Sequence, residues 1–220
     1  MSARPAILVT GADLAPQALA LLAEFDVIYA GKTPDEDSLV ALCERHQPVA
    51  IIVRYGRIPA RVMDASRSLR VISKHGAGID TIDSKAAAAR GIAVKAAAGA
   101  NADAVADFTF LLMLALSRDL CQAAAVVREG RWQLCRGVEV FGKTLGVVGT
   151  GQIGRRVVAR AQGFSMKVLA HDAVQDPGLV ERYGLRYVTL EELLRESDYI
   201  SLHVPRLPGT LGLIGERELA

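Results

Sequence analysis

The feature that most constrains the fold is a regular alternation of short apolar runs with longer stretches of helical spacing. It begins with the apolar run at residues 6–10 and repeats to the end of the chain. Strands buried on both faces have sequences of this short apolar kind, and their alternation with helices is typical of βαβ units. The sequence therefore predicts an α/β protein built on parallel sheets.

Composition fits a globular protein of one large or two small domains. The 220 residues include 26 Lys and Arg against 24 Asp and Glu, a net charge of +2. Such a balance gives no charge surplus for binding the nucleic-acid backbone, so we expect no nucleic-acid partner. The three cysteines show no metal-ligand spacing, and we expect no metal site.

A membrane role is also unexpected. The most apolar run covers nine residues, 108–116, between Asp107 and Arg118, whereas a spanning helix needs about 20. The N-terminus has no basic, apolar and small-residue pattern of a secretory signal. We therefore expect a cytoplasmic protein with no membrane contact.

The pattern predicts two domains. Five strands come first, at residues 6–10, 27–30, 49–53, 71–74 and 92–94. One long helix then follows at residues 101–129, with Asn101 as its N-cap and Gly130 as its stop. Its apolar middle indicates burial between domains or subunits. We place the domain boundary near residues 96–101.

The second domain contains a glycine-rich loop between a strand and a helix. The loop is Gly149-Thr150-Gly151-Gln152-Ile153-Gly154, a G-x-G-x-x-G pattern. A strand is predicted before it at residues 144–149, and a helix at residues 151–162 begins within it. Asp172 ends the next predicted strand, 18 residues beyond Gly154, where a dinucleotide site needs a carboxylate.

Each residue type in this pattern has a physical role in binding a dinucleotide. Gly149 permits the tight turn, Gly151 lets the backbone approach a pyrophosphate, and Gly154 lets helix and strand pack closely. Free amides and the helix dipole attract the phosphates. Asp172 would bind the ribose hydroxyls and repel a 2′-phosphate, so NAD is favoured over NADP. A glycine-rich turn without a ligand and an S-adenosylmethionine site are the alternatives.

Several separated motifs together resemble the D-isomer-specific 2-hydroxyacid dehydrogenases, a family that includes phosphoglycerate dehydrogenase. The resemblance covers most of the chain. It is carried by Ile52-Val53-Arg54, Lys74-His75-Gly76-Ala77-Gly78-Ile79-Asp80, Gly99-Ala100-Asn101-Ala102-Asp103, Val127-Arg128-Glu129-Gly130-Arg131-Trp132, the phosphate loop, His171-Asp172, Ser201-Leu202-His203-Val204-Pro205 and Leu213-Ile214-Gly215.

The resemblance implies a flavodoxin-like substrate domain at residues 1–98 and an incomplete Rossmann NAD-binding domain at residues 99–220. It also implies two sets of binding residues. The substrate residues would be Arg54, Gly76, Ala77, Gly78 and Asn101. The NAD residues would be Gly149, Gly151, Gln152, Ile153, Gly154, Asp172, His203, Val204, Pro205 and Thr210.

The implied activity is hydride transfer between NAD and a small 2-hydroxy or 2-keto acid. In the family an Arg and a His–Glu pair carry the chemistry, and their motifs follow Leu213-Ile214-Gly215, beyond Ala220. We therefore expect no catalytic residue within this chain and no activity from it as given. His75 and His203 are weak substitutes for the family's histidine, since one adjoins the substrate loop and the other offers mainly backbone contacts.

Three hypotheses follow for the function. The first is an NAD-dependent 2-hydroxyacid dehydrogenase, D-specific by the resemblance, with phosphoglycerate- or hydroxypyruvate-like substrates and dimeric through the helix at residues 101–129. The second is a sensor or interaction protein of the same fold that binds NAD(H) without catalysis. The third is a methyltransferase-like binder, which would not depend on Asp172.

Overall fold

The computed structural model describes residues 4–219, and the chain divides into two compact units between Ala100 and Asn101. We call these the N-terminal and C-terminal units. The elements of the N-terminal unit are β1 (Ala6–Val9), α1 (Pro16–Leu21), β2 (Asp26–Tyr29), α2 (Glu36–His46), β3 (Ala50–Val53), α3 (Ala60–Asp64), β4 (Val71–Lys74), α4 (Ser84–Ala89) and β5 (Ala93–Ala96).

The five strands of the N-terminal unit form one parallel sheet in the order β2-β1-β3-β4-β5. This is the flavodoxin-like order. The apolar runs that predicted the strands supply the core, because residues such as Leu8, Ile51 and Ile72 are fully buried beneath Leu39 and Val62 of the helices. Strand order reverses between β1 and β3, so the loops after these two strands diverge and leave a crevice.

The C-terminal unit contains a second parallel sheet, of four strands in the order β8-β7-β6-β9. Its elements are α5 (Ala102–Ser117), α6 (Leu120–Arg128), β6 (Thr144–Val148), α7 (Gly154–Ala161), β7 (Lys167–His171), α8 (Pro177–Tyr183), β8 (Arg186–Tyr187), α9 (Leu190–Glu196), β9 (Tyr199–Leu202) and α10 (Glu216–Leu219). Numbered within the unit, the order is 3-2-1-4, as in a Rossmann fold. The predicted α/β class, with one flavodoxin-like and one Rossmann-type sheet, is confirmed.

The predicted single helix at residues 101–129 is wrong. The structure has two helices there, α5 and α6, at an angle of 67°. The helix breaks because the Ser117 carbonyl accepts a hydrogen bond of 2.8 Å from the Val138 amide and is diverted from its own helix. Asp119 then adopts a left-handed conformation, with φ +48°. Asn101 precedes α5, but its side chain makes no capping hydrogen bond.

The apolar surface of α5 and α6 is only partly covered. One stripe of α5, which includes Ala106, Phe110 and Met113, is buried in the core of the unit. Phe108, Leu112 and Leu116 lie at least half exposed on the other faces. In the part of the chain that the structure describes, no single helix is long and apolar enough to cross a membrane, and α5 and α6 reach that length only together across their bend.

Other element boundaries differ from the sequence expectations by a few residues. The helix predicted from residue 151 begins at Gly154, because residues 151–153 form the turn of the phosphate loop, and its last predicted residue, Gln162, starts a short 3₁₀ helix. The strand predicted at residues 198–204 is confined to Tyr199–Leu202, since only those residues pair with β6. Helix ends commonly shift in this way.

Candidate cofactor and substrate sites

The phosphate loop, residues 149–154, leaves the sheet of the C-terminal unit where strand order reverses. The loop follows β6, and the neighbouring β9 leads to His203 and Val204. Gly149 has φ +94°, and a Cβ there would lie 2.8 Å from the His203 carbonyl oxygen and 2.9 Å from Val204 Cγ1. Both the turn and this close approach require glycine. The structure thus brings together two segments that the sequence predicted separately.

The other two glycines of the motif have opposite surroundings. A Cβ on Gly154 would lie 1.9 Å from the Gly149 carbonyl oxygen, so helix α7 can pack here only with glycine. A Cβ on Gly151 would meet no atom within 4 Å. Gly151 is therefore not required by the protein's own packing, and its bare backbone faces open space as a pyrophosphate site requires.

The amides of this loop are available to an anion. Among the described residues, 4–219, no backbone or side-chain acceptor takes a hydrogen bond from the amides of Gly151, Gln152 or Ile153. They lie at the start of α7, whose dipole adds positive charge. The Gln152 side chain is exposed and accepts a bond of 3.2 Å from Arg156 Nη1, whereas Ile153 packs against the core. The loop therefore fits a pyrophosphate through backbone groups.

Asp172 follows β7 and is held beside the loop. Its Oδ2 accepts hydrogen bonds from the Thr150 amide at 2.6 Å and the Thr150 hydroxyl at 3.0 Å, and its Oδ1 accepts one from the Val174 amide at 3.0 Å. Burial alone would raise the pKa of Asp172, but the hydrogen bonds from Val174 and Thr150 outweigh it and lower the pKa. The carboxylate is therefore ionised at neutral pH and acts only as an acceptor.

A groove of about 410 Å³ lies between Asp172 and the phosphate loop. It is lined by Thr150, Gly151, Arg155, Asp172, Val174, Gln175, Asp176 and Pro177. The groove offers a ribose the acceptor carboxylate that its hydroxyls need. Sequence reasoning considered only residues 173–175 for a positive charge and missed Arg155, which reaches the groove from α7 and lies 3.6 Å from Asp176.

The segment after β9 closes this side of the loop. His203 is half-buried, and its Nε2 lies 2.9 Å from the Ser201 hydroxyl. Burial lowers the pKa of His203, so its ring is neutral at pH 7. Pro205 is exposed, and its carbonyl accepts a bond of 2.5 Å from the Thr210 hydroxyl. Thr210 thus fastens its own loop, and its hydroxyl is engaged there.

In the N-terminal unit, strand order reverses between β1 and β3. Arg54 lies at this reversal, directly after β3. Thr10, after β1, is fully buried, and its hydroxyl accepts a hydrogen bond of 3.0 Å from the Arg54 amide. The guanidinium donates to the Asp13 carbonyl at 2.6 Å and also to the Asp13 carboxylate. Sequence reasoning missed Asp13. Its position after β1 in a flavodoxin-like order was the available signal.

A cavity of about 320 Å³ adjoins this pair. It is lined by Asp13, Leu14, Ala15, Ala18, Arg54 and His75. The loop of Gly76, Ala77 and Gly78 follows β4 at the same edge of the sheet. Gly76 has φ +140°, a conformation suited to glycine, and Ala77 and Gly78 are exposed. Asn101 is exposed and is the first residue of the other unit.

Comparison with known proteins agrees with this geometry. Residues 110–220 match the family model of the D-isomer-specific 2-hydroxyacid dehydrogenases, NAD-binding domain. The chain is 41% identical to a glyoxylate reductase of Korarchaeum cryptofilum over 74% of this chain and 51% of that protein. It is 36% identical to the D-3-phosphoglycerate dehydrogenase of Mycobacterium tuberculosis over 98% of this chain and 41% of the relative.

A solved structure is similar to both sheets of the chain. The D-lactate dehydrogenase of Aquifex aeolicus, complexed with NAD and lactic acid, is 28% identical with a TM-score of 0.81, over 97% of this chain and 65% of that one. The chain belongs to the D-isomer-specific 2-hydroxyacid dehydrogenase family. NAD is its cofactor. It spans about half the length of the glyoxylate reductase it matches.

Proposed function

We propose that this protein is an NAD-dependent oxidoreductase that interconverts a small 2-hydroxy acid and its 2-keto acid. The observation that carries the proposal is the phosphate loop, whose free amides and open Gly151 face a groove with an ionised carboxylate. Both lie where an α/β sheet binds its ligands. The relatives are named glyoxylate reductase and D-3-phosphoglycerate dehydrogenase. These names support a small 2-hydroxy or 2-keto acid as the substrate.

The residues of this chain bind and orient the cofactor. The amides at residues 151–153 would hold the pyrophosphate, and Asp172 would accept hydrogen bonds from the adenine-ribose hydroxyls. The backbone of residues 203–205 would line the nicotinamide side. NADH, when bound, supplies the hydride that reduces a 2-keto acid. A 2′-phosphate would meet the Asp172 carboxylate, and the Arg155 guanidinium that lines the same groove is paired with Asp176, which favours NADH over NADPH.

The N-terminal unit supplies groups for the acid's carboxylate. Arg54 presents a planar guanidinium, which suits bidentate contact with a carboxylate or a phosphate. In the glycine loop at residues 76–78, the Gly76 amide donates to the Lys74 carbonyl at 3.0 Å, whereas the amides of Ala77 and Gly78 have no acceptor among the described residues. These two amides lie at the same sheet edge, a geometry that favours anions. The Thr10 hydroxyl accepts a hydrogen bond from the Arg54 amide and so fixes the backbone from which the Arg54 side chain extends. We assign substrate positioning to these groups.

The activity test measures NADH consumption by the full product of the gene. Glyoxylate, hydroxypyruvate and phosphohydroxypyruvate are the substrates, and turnover of at least one is expected. Arg54→Met should raise the KM for that substrate about 10- to 100-fold, because a charge-assisted contact is lost. Arg57→Met is the matched control, since Arg57 is exposed and has no assigned role. NADH binding without any turnover would instead favour a sensor.

We also propose a homodimer formed through α5, α6 and the segment that follows them. The exposed apolar residues here are Phe108, Leu111, Leu112, Leu116, Leu120, Val127, Trp132, Leu134, Val138 and Phe141. An apolar surface of this extent favours a protein partner. Leu116→Arg should shift the protein from dimer to monomer in sedimentation velocity. Leu21→Arg, at a similarly exposed leucine of the N-terminal unit, should leave the mass unchanged.

A further inference from the structure

Beyond the phosphate loop itself, a chain of hydroxyl groups connects the edge of the sheet to Asp172. The Tyr187 hydroxyl lies 3.0 Å from the Thr150 hydroxyl, which lies 3.0 Å from Asp172 Oδ2. The Tyr187 oxygen also accepts a hydrogen bond of 3.0 Å from the Asp176 amide. Three residues from different strands and loops therefore meet in one continuous hydrogen-bonded path.

The direction of every proton in this path is fixed by elimination. Asp172 is ionised, so the Thr150 hydroxyl must donate to it. A hydroxyl has one proton, so the Thr150 oxygen must accept from the Tyr187 hydroxyl. The Tyr187 oxygen in turn accepts from the Asp176 amide. All donors thus point toward the carboxylate, and hydrogen bonds aligned in this way strengthen one another.

The fold holds this path in place. Tyr187 pairs with Ala170 in the register of β8 and β7, and Asp172 follows directly after the end of β7 at His171. The Tyr187 ring packs against the core while its hydroxyl reaches the loop. Thr150 is 3% exposed, so its hydroxyl is largely cut off from water and depends on these protein partners.

We propose that Tyr187 is a positioning residue that sets the preference for NADH over NADPH by acting on Asp172 through Thr150. The inference rests on the proposed function, since it requires Asp172 to contact the adenine ribose. Held by Thr150, the carboxylate keeps one geometry in which it accepts from the ribose hydroxyls and opposes a 2′-phosphate. When the path is broken, the backbone amides of Thr150 and Val174 still hold the carboxylate, but less firmly, which weakens NADH binding and reduces the repulsion of NADPH.

The test compares NADH and NADPH affinities of single variants by titration calorimetry. Tyr187→Phe keeps the ring and removes only the hydroxyl, and we expect NADH to bind about 3- to 10-fold more weakly. NADPH affinity should be unchanged or higher, so selectivity falls. Tyr183→Phe is the matched control. Its ring packs against the same core, and its hydroxyl has no hydrogen bond among the described residues, so both affinities should stay at wild-type values.

Two further variants separate positioning from general damage. Thr150→Val should reduce selectivity at least as much as Tyr187→Phe, while Thr150→Ser retains the hydroxyl and should restore the wild-type preference. The double variant Tyr187→Phe with Thr150→Val should be no worse than Thr150→Val alone, because both changes break one path. Additive losses would contradict the proposal.

Equal weakening of NADH and NADPH by Tyr187→Phe would also overturn the inference, since it indicates a structural role only. An unchanged Tyr187→Phe variant would overturn it as well. These results differ from a failure of the proposed function, which would appear as no NADH binding by the wild-type protein. Circular dichroism on each variant verifies that the protein is folded.

Discussion

The two glycine loops of this protein are built on opposite principles. In the phosphate loop, a Cβ on Gly154 would lie 1.9 Å from backbone and a Cβ on Gly149 would lie 2.8 Å from backbone. In the N-terminal unit, a Cβ on Gly76 would meet nothing within 4 Å, and one on Gly78 would meet only the Asp80 side chain at 3.2 Å. Packing fixes the first loop. The second is fixed by its backbone conformation and by hydrogen bonds at Gly76, whose amide donates to the Lys74 carbonyl and whose carbonyl accepts from the Ala97 amide, each at 3.0 Å.

This difference bears on how each loop can bind an anion. A loop held by packing at both of its ends presents its amides in one arrangement before the ligand arrives, so little ordering is needed on binding. A loop with little packing around it is held less firmly and can adjust to substrates of different size. We therefore expect the C-terminal unit to be strict toward its cofactor and the N-terminal unit to be tolerant toward its substrate.

The largest effect is predicted for Gly154→Ala. The added methyl group cannot avoid the Gly149 carbonyl without moving α7 from β6, so the unfolding free energy of the C-terminal unit should fall by about 3 kcal/mol or more. Denaturant unfolding followed by circular dichroism measures this loss. A Gly154→Ala variant within about 1 kcal/mol of wild type would show that the loop is not fixed by packing.

Gly151→Ala is the matched change within the same loop. Its methyl group would enter open space, so stability should stay within about 0.5 kcal/mol of wild type. NADH binding should nevertheless be lost, because the methyl group occupies the approach of the pyrophosphate. Calorimetry with NADH measures this outcome. Unimpaired binding would place the pyrophosphate elsewhere.

A smaller loss is predicted for Gly76→Ala in the N-terminal unit. The φ of +140° is strained for any residue with a side chain, and the cost should be about 1–3 kcal/mol. Gly78→Ala should cost less, because only the movable Asp80 side chain must shift. Hydrogen exchange followed by mass spectrometry assigns the destabilisation to this unit. Equal effects of the two substitutions would contradict the role of backbone conformation at Gly76.

Local sequence signals predicted the strands and the phosphate loop because their causes are local. Buried parallel strands need apolar runs, and the glycine motif with Asp172 has a fixed spacing. The break between α5 and α6 was not predictable in this way. It depends on Val138, far along the chain, whose amide donates a hydrogen bond to the Ser117 carbonyl. The residues at the break include no Pro or Gly that would indicate it.

The same limit applies to the sites. The family resemblance supplied Arg54, and the spacing from the glycine motif supplied Asp172. The structure places Arg54 after β3, where strand order reverses, and Asp172 after β7, one strand away from the reversal between β6 and β9. Asp13 pairs with Arg54, and Tyr187 reaches Asp172 through Thr150. Neither could be selected from spacing, because each comes from another strand or loop that only strand order makes adjacent. Residues that contact a ligand directly follow motifs, whereas the residues that hold them follow topology.

His203 predicts a pH dependence of the C-terminal unit. Burial disfavours its charged form, so its pKa in the folded protein lies below the ordinary value of 6.5. Between these two values the unfolded chain binds more protons. The contribution to stability is therefore complete above pH 6.5 and is lost as the pH falls through the folded pKa. His203→Gln should flatten this part of the curve in denaturant unfolding, and an unchanged slope would contradict the assignment.

The smallest predicted effect is on substrate KM, and it comes from the negative charge of Asp13 beside Arg54 in the N-terminal unit. Asp13 accepts from the guanidinium, so an incoming acid must share Arg54 with a carboxylate, whereas the phosphate loop offers amides with no such competitor. Removing the charge should help a substrate with a phosphate beside its carboxylate most, because its repulsion by Asp13 is largest. Asp13→Asn should therefore lower the KM for phosphohydroxypyruvate about 2- to 5-fold relative to glyoxylate.

The control for Asp13→Asn is ionic strength. Asp13 is largely exposed, with 77% of its side chain accessible, so salt should screen its repulsion and reduce the difference between wild type and variant. Steady-state kinetics at low and high salt measure both effects. If the variant changes the KM for both substrates by the same factor, Asp13 acts by positioning the Arg54 side chain and not by repelling the substrate's charge. In that case the geometry around Arg54 would be as fixed as that of the phosphate loop. The two units would then differ only in how tightly their glycine loops are packed.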